Sequence, residues 1–144
     1  MMNYSKIVLK HFRNPHNLGK IAKPDGVGEV GNMACGDVMR LYIKVKDDKI
    51  EDIKFETYGC AAAIATSSAV TDMAKGKTLD EVLKLDYEQV IKDLGGLPPI
   101  KVHCSLLAID ALGEAIYEYL VKNKREIPED LEIKHQKILT RGRH

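Results

Sequence analysis

Two adjacent prolines, Pro98 and Pro99, constrain the backbone of this chain more than any other pair of residues. Proline lacks a backbone N–H and cannot lie inside a helix, and Pro99 pushes Pro98 toward an extended conformation. The segment 97–104 (LPPIKVHC) therefore predicts a stiff, exposed stretch that leads into a long helix. His103 and Cys104 would lie in the first turn of that helix. A thiol beside an imidazole at a helix start is either a reactive group or a pair of metal ligands.

The length and composition indicate one ordinary soluble domain that works in the cytoplasm. With 144 residues, 44% of them hydrophobic and 30% charged, the chain is long enough to bury one core. The formal net charge of +1 gives no reason to expect binding to nucleic acid or to a membrane surface. No apolar run near Met1 is long enough for a signal peptide or a membrane-spanning helix.

Alternating residue patterns predict an α+β fold, in which a small three-stranded antiparallel sheet is packed by several helices. The glycine-rich stretch 26–32 predicts a thin edge strand, and residues 38–56 predict a hairpin with one solvated face. In the first strand of this hairpin, we expect Tyr42 to face outward. The residues of the hairpin that we expect to face inward are Leu41, Ile43, Val45, Ile53 and Phe55.

The helical patterns flank this sheet on both sides in the sequence. Apolar residues spaced by three and four predict a first helix over 3–12, and the small residues of 61–74 predict a closely packed helix. The stretch 78–81 resembles a capping box that opens a short helix, and another short helix would cover 87–94. The long helix has a predicted apolar stripe of Leu106, Ile109, Leu112, Ile116 and Leu120, widened by Ala108, Ala115 and Tyr119.

The last nineteen residues differ in kind from the rest of the chain. Pro128 ends the pattern of the long helix, and the tail mixes acidic with basic side chains. We therefore expect one domain over 1–125 and a C-terminal extension over 126–144 that is either a short helix or disordered.

Three cysteines, Cys35, Cys60 and Cys104, lie far apart in the sequence. Their number is odd and none forms a Cys-x-x-Cys pair, which in a reducing compartment favours buried, reactive or ligating thiols over disulfides. Each is predicted at a junction between two elements, and junctions at one end of a sheet can converge. Asp37 and His103 would add a carboxylate and an imidazole. The candidate set for one site is therefore Cys35, Asp37, Cys60, His103 and Cys104.

Each of these residues also has an ordinary structural explanation. A lone cysteine is usually a small buried hydrophobe, a lone histidine such as His103 is usually hydrogen-bonded, and Asp37 alone would be a turn residue. The joint pattern instead favours a shared site. A helix N-terminus lowers a thiol pKa of about 8.5 by roughly one unit at best. Lys101 would lower it further, so both a reactive thiol and a metal centre stay open.

Three sequence blocks resemble the signature blocks of the IscU/NifU-type iron–sulfur cluster assembly scaffolds. They are ACGDVM at 34–39, TYGC at 57–60 and LPPIKVHC at 97–104, in matching order and spacing. The resemblance extends from Tyr4 to about Lys124. The fold that it implies is a small antiparallel sheet packed by helices, with a long helix toward the C-terminus, which agrees with the patterns above.

The resemblance implies a function that is not enzymatic. The protein would assemble an iron–sulfur cluster, with 2Fe–2S expected, from iron and persulfide sulfur and transfer it to recipient apo-proteins. Cys35, Cys60 and Cys104 would bind the cluster, with Asp37 or His103 as the further ligand. Cys104 would also accept persulfide sulfur from a cysteine desulfurase.

The resemblance also implies further partners. A ferredoxin would donate electrons, and Tyr4 would take part in a homodimer of cluster-bound chains. When no metal is bound, Lys101 would pair with Asp37. The segment that a DnaK-type chaperone and its J-type co-chaperone would grip comprises Leu97, Pro98, Pro99, Ile100 and Lys101.

The spacing of the cysteines favours one branch of this family. The SufU branch carries an insertion between the second and third cysteines and lacks the histidine. Here 43 residues separate Cys60 from Cys104, and His103 is present, so the Isc branch fits better.

Two other functions stay open at the level of the sequence. The same five residues offer enough tetrahedral ligands for zinc, so the chain would also suit a small zinc-stabilised binding module. A third hypothesis is a sulfur-transfer or thiol-redox protein that works through Cys104 alone, in which Cys35 and Cys60 are dispensable. If the protein is a scaffold, its site would also be able to hold zinc when the protein is first isolated.

Overall fold

The computed structural model describes residues 4–32 and 37–141. Within this part of the chain, three strands lie between a first helix and a run of five further helices. A single 3₁₀ turn, Pro99–Lys101, precedes the longest helix. The elements in chain order are α1 Lys6–Arg13, β1 Gly26–Asn32, β2 Asp37–Lys46, β3 Lys49–Thr57, α2 Ala61–Ala74, α3 Leu79–Leu83, α4 Tyr87–Asp93, α5 Val102–Lys122 and α6 Glu129–Arg141.

The three strands form one antiparallel sheet in the order β1-β2-β3. A two-residue turn joins β2 to β3, and both of its residues, Asp47 and Asp48, have positive φ angles of 53° and 59°. Such a turn matches the right-handed twist of the paired strands. The predicted three-stranded sheet packed by helices is thus confirmed, and β1 is the predicted glycine-rich edge strand.

Strand β1 is rich in glycine because the backbone of α5 lies directly against it. A Cβ atom on Gly28 would lie 2.0 Å from the carbonyl oxygen of Ala111, and one on Gly26 would lie 2.2 Å from that of Ala115. Real Cβ atoms do not approach backbone this closely, so only glycine fits at either position. Small residues on both elements therefore allow α5 to cover the sheet at short range.

This close packing corrects the predicted stripe on α5. Leu106 was expected to face the core but is 42% exposed, and Ile109 is only partly buried. The prediction relied on the regular spacing of large residues. It therefore missed the face of α5 that meets the glycine strand, where small side chains are required. The residues that α5 buries are Cys104, Ser105, Ala108, Ala111, Leu112, Ala115, Ile116 and Leu120.

Tyr42 also departs from the expected arrangement of the hairpin. Leu41 and Ile43 are fully buried as expected, but Tyr42, which was expected to face outward, is only 7% exposed. Its hydroxyl donates a hydrogen bond to the Glu56 carboxylate at 2.5 Å. Alternation distinguishes the two faces of the sheet, but it does not show that a residue on the polar face has a partner that shields it.

Helix α2 is buried along most of its length, as its small residues predict. Its buried polar side chains are satisfied within the helix or by its neighbours; for example, Ser67 Oγ donates to the carbonyl oxygen of Ala63 at 2.7 Å. Gly76, with φ of 84°, lets the chain turn away just after the helix ends.

The shorter helices begin at side-chain caps. Thr78 and Glu81 form the predicted capping box at the start of α3, and Asp86 with Gln89 forms another at α4. Helix α1 was expected over 3–12 but begins at Lys6, because Ser5 Oγ accepts a hydrogen bond from the N–H of Val8 and caps it.

The C-terminal stretch contains a helix that packs on the rest of the fold. Helix α6 buries Leu131, and its His135 ring stacks on Tyr117 of α5 with ring centroids 3.7 Å apart. His135 Nδ1 also lies 2.7 Å from a carboxylate oxygen of Glu114. Of the two alternatives expected for the tail, the structure has the helix over 129–141. No helix in the described ranges is long and apolar enough to cross a membrane.

Candidate metal centre

The described candidate ligands, Cys60, His103 and Cys104, lie around the end of the sheet at which β3 finishes and α2 starts. Cys60 is the N-cap residue of α2, and the N–H of Ile64 bonds to its carbonyl oxygen at 3.1 Å. Just before it, Thr57 Oγ1 donates to the carbonyl oxygen of Val38 at 2.8 Å, which joins the end of β3 to the start of β2. The start of β2, the end of β3 and the start of α2 are therefore held together.

The structure brings Cys60 and Cys104 together although 43 residues lie between them in the sequence. Their Sγ atoms are 4.0 Å apart. A disulfide has a sulfur–sulfur distance of about 2.05 Å, so both side chains are thiols. Cys60 is partly exposed, whereas Cys104 is fully buried in the first turn of α5.

His103 lies next to this thiol pair. Its Nε2 atom is 3.8 Å from Sγ of Cys104, and its side chain is exposed. The ring nitrogen is thus close enough for the imidazole and the thiol to share one centre after a small adjustment of the side chain. The predicted pairing of His103 with Cys104 in the first helical turn is what the structure shows.

Lys101 places a positive charge beside the thiols. Its pKa is raised, first by the charge of the Cys60 thiolate, while burial acts in the opposite direction. A hydrogen bond to Cys60 and the charges of Tyr4 and Cys104 raise it further. Lys101 is therefore a neighbour of the cysteine pair, and Tyr4 is a neighbour of Lys101.

The pKa of the Cys60 thiol is lowered overall by its position at the start of α2. Burial raises this pKa, but the backbone N–H groups of Ala63 and Ala62 stabilise the thiolate, and the charges around it act in the same direction. Lys101 is the cation responsible, and a hydrogen bond with Cys104 adds to the effect. The Cys60 thiol therefore ionises more readily than an unperturbed thiol. It is also the more accessible of the two described thiols.

Two of the expected ligands are described only in part or not at all. Cys35 lies outside the described residues, and of Asp37 only the backbone is described, at the first position of β2. That backbone pairs with Asn32, the last residue of β1. The segment that holds Cys35 therefore begins and ends at the same end of the sheet as Cys60. The expected pairing of Lys101 with Asp37 stays a prediction.

The segment before α5 follows the expectation from its prolines. Pro98 is extended, with φ and ψ of −55° and 139°, and Pro99 opens the 3₁₀ turn at a position that tolerates proline. The N–H of Lys101 bonds to the carbonyl oxygen of Pro98 at 2.8 Å. Leu97 and Pro98 are half-buried and Pro99 is exposed, so the stretch is less open than the sequence predicted.

One residue near the site was not singled out from the sequence. Tyr58 is 85% exposed and lies two positions before Cys60. Its place inside the TYGC block was the available signal, but exposure of an aromatic side chain is not readable from that block.

A family model described as the NifU-like N terminal domain matches residues 3–126. The chain belongs to this family. The matched range contains all three cysteine blocks, so the family resemblance inferred from those blocks is confirmed.

Curated relatives carry the same family assignment. Over 120 residues the chain is 62% identical to the "Iron-sulfur cluster assembly scaffold protein IscU 1" of Archaeoglobus fulgidus, covering 83% of this chain and 78% of the relative. It is 50% identical over 129 residues to the IscU scaffold protein of Escherichia coli, covering 87% of this chain and 98% of the relative. Relatives at this identity that carry the name IscU support the Isc branch.

Solved structures support the fold. The N-terminal NifU-like protein of Brucella abortus matches with a TM-score of 0.68 at 26% identity, covering 82% of this chain and 94% of that one. A putative SUF-system scaffold from Fervidobacterium islandicum matches with a TM-score of 0.65 at 29% identity, covering 78% and 96%. The fold of this chain is thus shared by a NifU-like protein and by a putative SUF-system scaffold.

Proposed function

We propose that this protein is a scaffold on which an iron–sulfur cluster is assembled from iron and persulfide sulfur and then transferred to recipient apo-proteins. The observation that carries the proposal is the 4.0 Å separation of the Cys60 and Cys104 sulfur atoms. Two thiolates bound to one tetrahedral ion at about 2.3 Å lie roughly 3.8 Å apart. The thiol pair therefore has nearly the spacing that joint ligation requires, in a chain whose relatives are named as scaffolds.

We propose that Cys35, Cys60 and Cys104 bind the cluster, and that Asp37 or His103 provides the further ligand. Soft thiolates hold iron–sulfur centres strongly. A carboxylate or an imidazole in place of a fourth thiolate leaves one weaker corner, at which an acceptor's thiolate can enter. The mixed ligand set suits a protein that must release its cluster. We expect a 2Fe–2S cluster.

In the sulfur-transfer step, the thiolate of Cys104 attacks the terminal sulfur of the desulfurase persulfide. The sulfur–sulfur bond in the desulfurase breaks, its cysteine leaves as a thiolate, and a persulfide forms on Cys104. Reduction of that persulfide sulfur to sulfide takes two electrons, for which we propose a ferredoxin as donor. Because Cys104 is fully buried, the step requires the start of α5 to open when the desulfurase binds.

The further partners are proposed from the same family resemblance. The segment Leu97–Lys101 is the proposed grip for a DnaK-type chaperone and its J-type co-chaperone. Tyr4, which lies near Lys101, is proposed to help form a homodimer of cluster-bound chains. A reducing cytoplasm is the proposed location, since it keeps the thiols reduced.

Zinc binding is the second candidate, and the same sulfur pair favours it. A 4.0 Å pair of thiols with a nearby imidazole is also a suitable start for a tetrahedral zinc site. A small zinc-stabilised module would bind zinc but would not accumulate iron and sulfide when both are supplied.

Anaerobic reconstitution with iron, cysteine and a cysteine desulfurase tests the assignment. We expect visible absorption typical of an iron–sulfur cluster, together with bound iron and sulfide in equal amounts. A colourless protein that contains only zinc would contradict the scaffold and favour the zinc module. Two results together would instead favour a sulfur-transfer protein that uses Cys104 alone. The wild type would assemble no cluster, and Cys35→Ser and Cys60→Ser would each retain full sulfur acceptance.

Mass spectrometry of the same mixture before iron is added tests the acceptor. We expect one added sulfur on Cys104 and none at that position in Cys104→Ser. Persulfide found on Cys60 in the wild type would move the acceptor to the more accessible thiol.

A further inference from the structure

Three potential metal ligands meet on the outer surface of α2, away from the cysteine pair. They are His11 near the end of α1, His16 in the segment that follows it, and Asp72 in the last turns of α2. One ligand atom from each residue lies within 4.8 Å of those of the other two. Asp72 lies twelve positions beyond Cys60, which corresponds to roughly 18 Å along a helix axis. This group is therefore separate from the cysteine centre.

The three residues are accessible from solvent on one side and anchored on the other. His11 is half-buried, whereas His16 and Asp72 are exposed. The two imidazole rings lie 5.1 Å apart between centroids and are tilted by 58°. An ion would reach the group from the surface, and water would be able to fill the remaining coordination positions.

Neighbouring side chains orient His11 and Asp72 and hold the backbone of His16. The buried hydroxyl of Ser68 lies 2.7 Å from Nδ1 of His11 and accepts a hydrogen bond from the backbone N–H of His16 at 2.8 Å. On the other side, Asn17 Nδ2 donates to Oδ1 of Asp72 at 2.9 Å and to Thr71 Oγ1 at 3.0 Å. Such outer hydrogen bonds are the means by which proteins fix the orientation of ligating histidines and carboxylates.

We propose that His11, His16 and Asp72 form a second metal site, which binds one divalent ion of a first-row transition metal such as zinc. Two imidazoles and one carboxylate are a donor set that suits such ions and leaves positions open for water. The site would hold the segment after α1 against α2 through the bound ion.

The metal-free arrangement needs only a small adjustment to accept an ion. His16 Nδ1 and Asp72 Oδ2 are now 2.5 Å apart and share a hydrogen bond. Nitrogen and oxygen ligands of one tetrahedral zinc ion lie roughly 3.4 Å apart. Binding would therefore separate these two exposed groups by about one ångström and replace their shared proton with the ion. This loss of a hydrogen bond makes the site weaker than a thiolate centre.

The opposing explanation is that the group is only a hydrogen-bonded network that fixes the chain after α1. Nuclear magnetic resonance of the histidine rings in the full-length wild-type protein distinguishes a metal site from a network of hydrogen bonds alone. The protein is loaded with one equivalent of Zn²⁺, which the cysteine centre takes first, and then titrated with further Zn²⁺. We expect the further ion to shift the ring signals of His11 and His16 and to leave those of His135 unchanged.

Variants assign the binding to the named ligands. In calorimetric titrations of the same loaded protein, we expect His16→Gln and Asp72→Asn each to weaken the second binding event by about 10-fold or more. Asp52→Asn, which changes another exposed carboxylate, should bind as the wild type does. All three variants change exposed side chains, and their melting temperatures without zinc check that they fold.

Two results would overturn the proposal. One is wild-type protein in which further Zn²⁺ leaves the rings of His11 and His16 unshifted. The other is an Asp72→Asn protein that binds the second ion as tightly as the wild type. Both results are independent of whether the cysteine centre assembles an iron–sulfur cluster.

Discussion

The side chain of Lys101 lies beside the thiol of Cys60, so the structure pairs a cation with one of the proposed sulfur ligands. The cation comes from the turn before α5, and the thiol comes from the first position of α2. A charged thiolate is therefore stabilised before any metal arrives. The same cation would have to move aside or change partner when a metal ion neutralises the sulfur.

This relationship predicts how fast Cys60 reacts with iodoacetamide. The pKa of Cys60 is lowered, so its thiolate persists to lower pH than in an ordinary thiol with a pKa of about 8.5. In metal-free protein, the rate of Cys60 alkylation should therefore rise at a lower pH than the rate for an unperturbed thiol. Lys101→Gln should move the midpoint upward, toward the ordinary value, because it removes the positive charge. Peptide mapping by mass spectrometry from pH 6 to 9 measures both rates.

A control for this experiment lies at the other end of the same helix. Lys122→Gln removes an equal charge from the last turn of α5 and should leave the alkylation profile of Cys60 unchanged. Identical profiles for Lys101→Gln and the wild type would show that the charge does not act on Cys60.

The contact between β1 and α5 predicts a destabilising Gly28→Ala substitution. The added Cβ would meet the Ala111 carbonyl oxygen at 2.0 Å, so the helix or the strand must shift. Overpacking of this kind costs about 1–3 kcal/mol of the free energy of unfolding. Urea denaturation followed by circular dichroism measures the loss.

Gly113→Ala is the matched substitution in α5. Its Cβ would lie 3.5 Å from a methyl carbon of Leu131, which is ordinary contact, and alanine favours a helix over glycine. We expect it to be neutral or to stabilise the protein by up to about 1 kcal/mol. Equal stability of Gly28→Ala and wild type would refute the close packing.

The packing of α6 predicts that Leu131 holds this helix in place. Leu131 is 5% exposed and lies against α5, whereas Leu139 of the same helix is 41% exposed. Leu131→Ala should therefore speed amide hydrogen exchange across 129–141 while the sheet keeps its protection, and Leu139→Ala should have little effect. If Leu131→Ala and Leu139→Ala changed the amide exchange rates of 129–141 equally, the position of α6 would not depend on the Leu131 contact.

The weaker corner proposed for the cluster site predicts the effect of Asp37→Ala. Removing the hard carboxylate takes away an exchangeable ligand, so the assembled cluster should persist longer than in the wild type. The decay of the visible absorption in the presence of an iron chelator measures its lifetime. As a control, Asp130→Ala removes a carboxylate from α6 and should leave the lifetime of the cluster unchanged. A faster decay in Asp37→Ala would mean that the carboxylate holds the cluster rather than helps to release it.

The sequence predicted the elements whose cause is local. The capping box at Thr78 and Glu81 and the helical turn that carries His103 and Cys104 depend on neighbouring residues, and both are present. The exposure of Leu106 was missed, because the spacing of large residues does not reveal that the opposite element is a strand of glycines.

The proximity of Cys60 and Cys104 was predictable for a different reason. Cys60 and Cys104 each mark the start of a helix, and the resemblance to known signature blocks joined them before any distance was known. No helix start or signature block identifies the group of His11, His16 and Asp72 in the sequence. Asp72 is 56 positions from His16, and only the packing of α1 against α2 brings the two together. Contacts of this range depend on the whole fold and leave no periodic pattern.

Cluster transfer tests the central claim most directly. Protein carrying a reconstituted cluster is mixed anaerobically with an apo-ferredoxin and an iron chelator, and the absorption and circular dichroism of both proteins are followed. We predict that the ferredoxin gains a cluster as the scaffold loses one, faster than from free iron and sulfide under the same conditions. A cluster that stays on this protein, or a ferredoxin that gains its cluster no faster than from free iron and sulfide, would contradict the scaffold function.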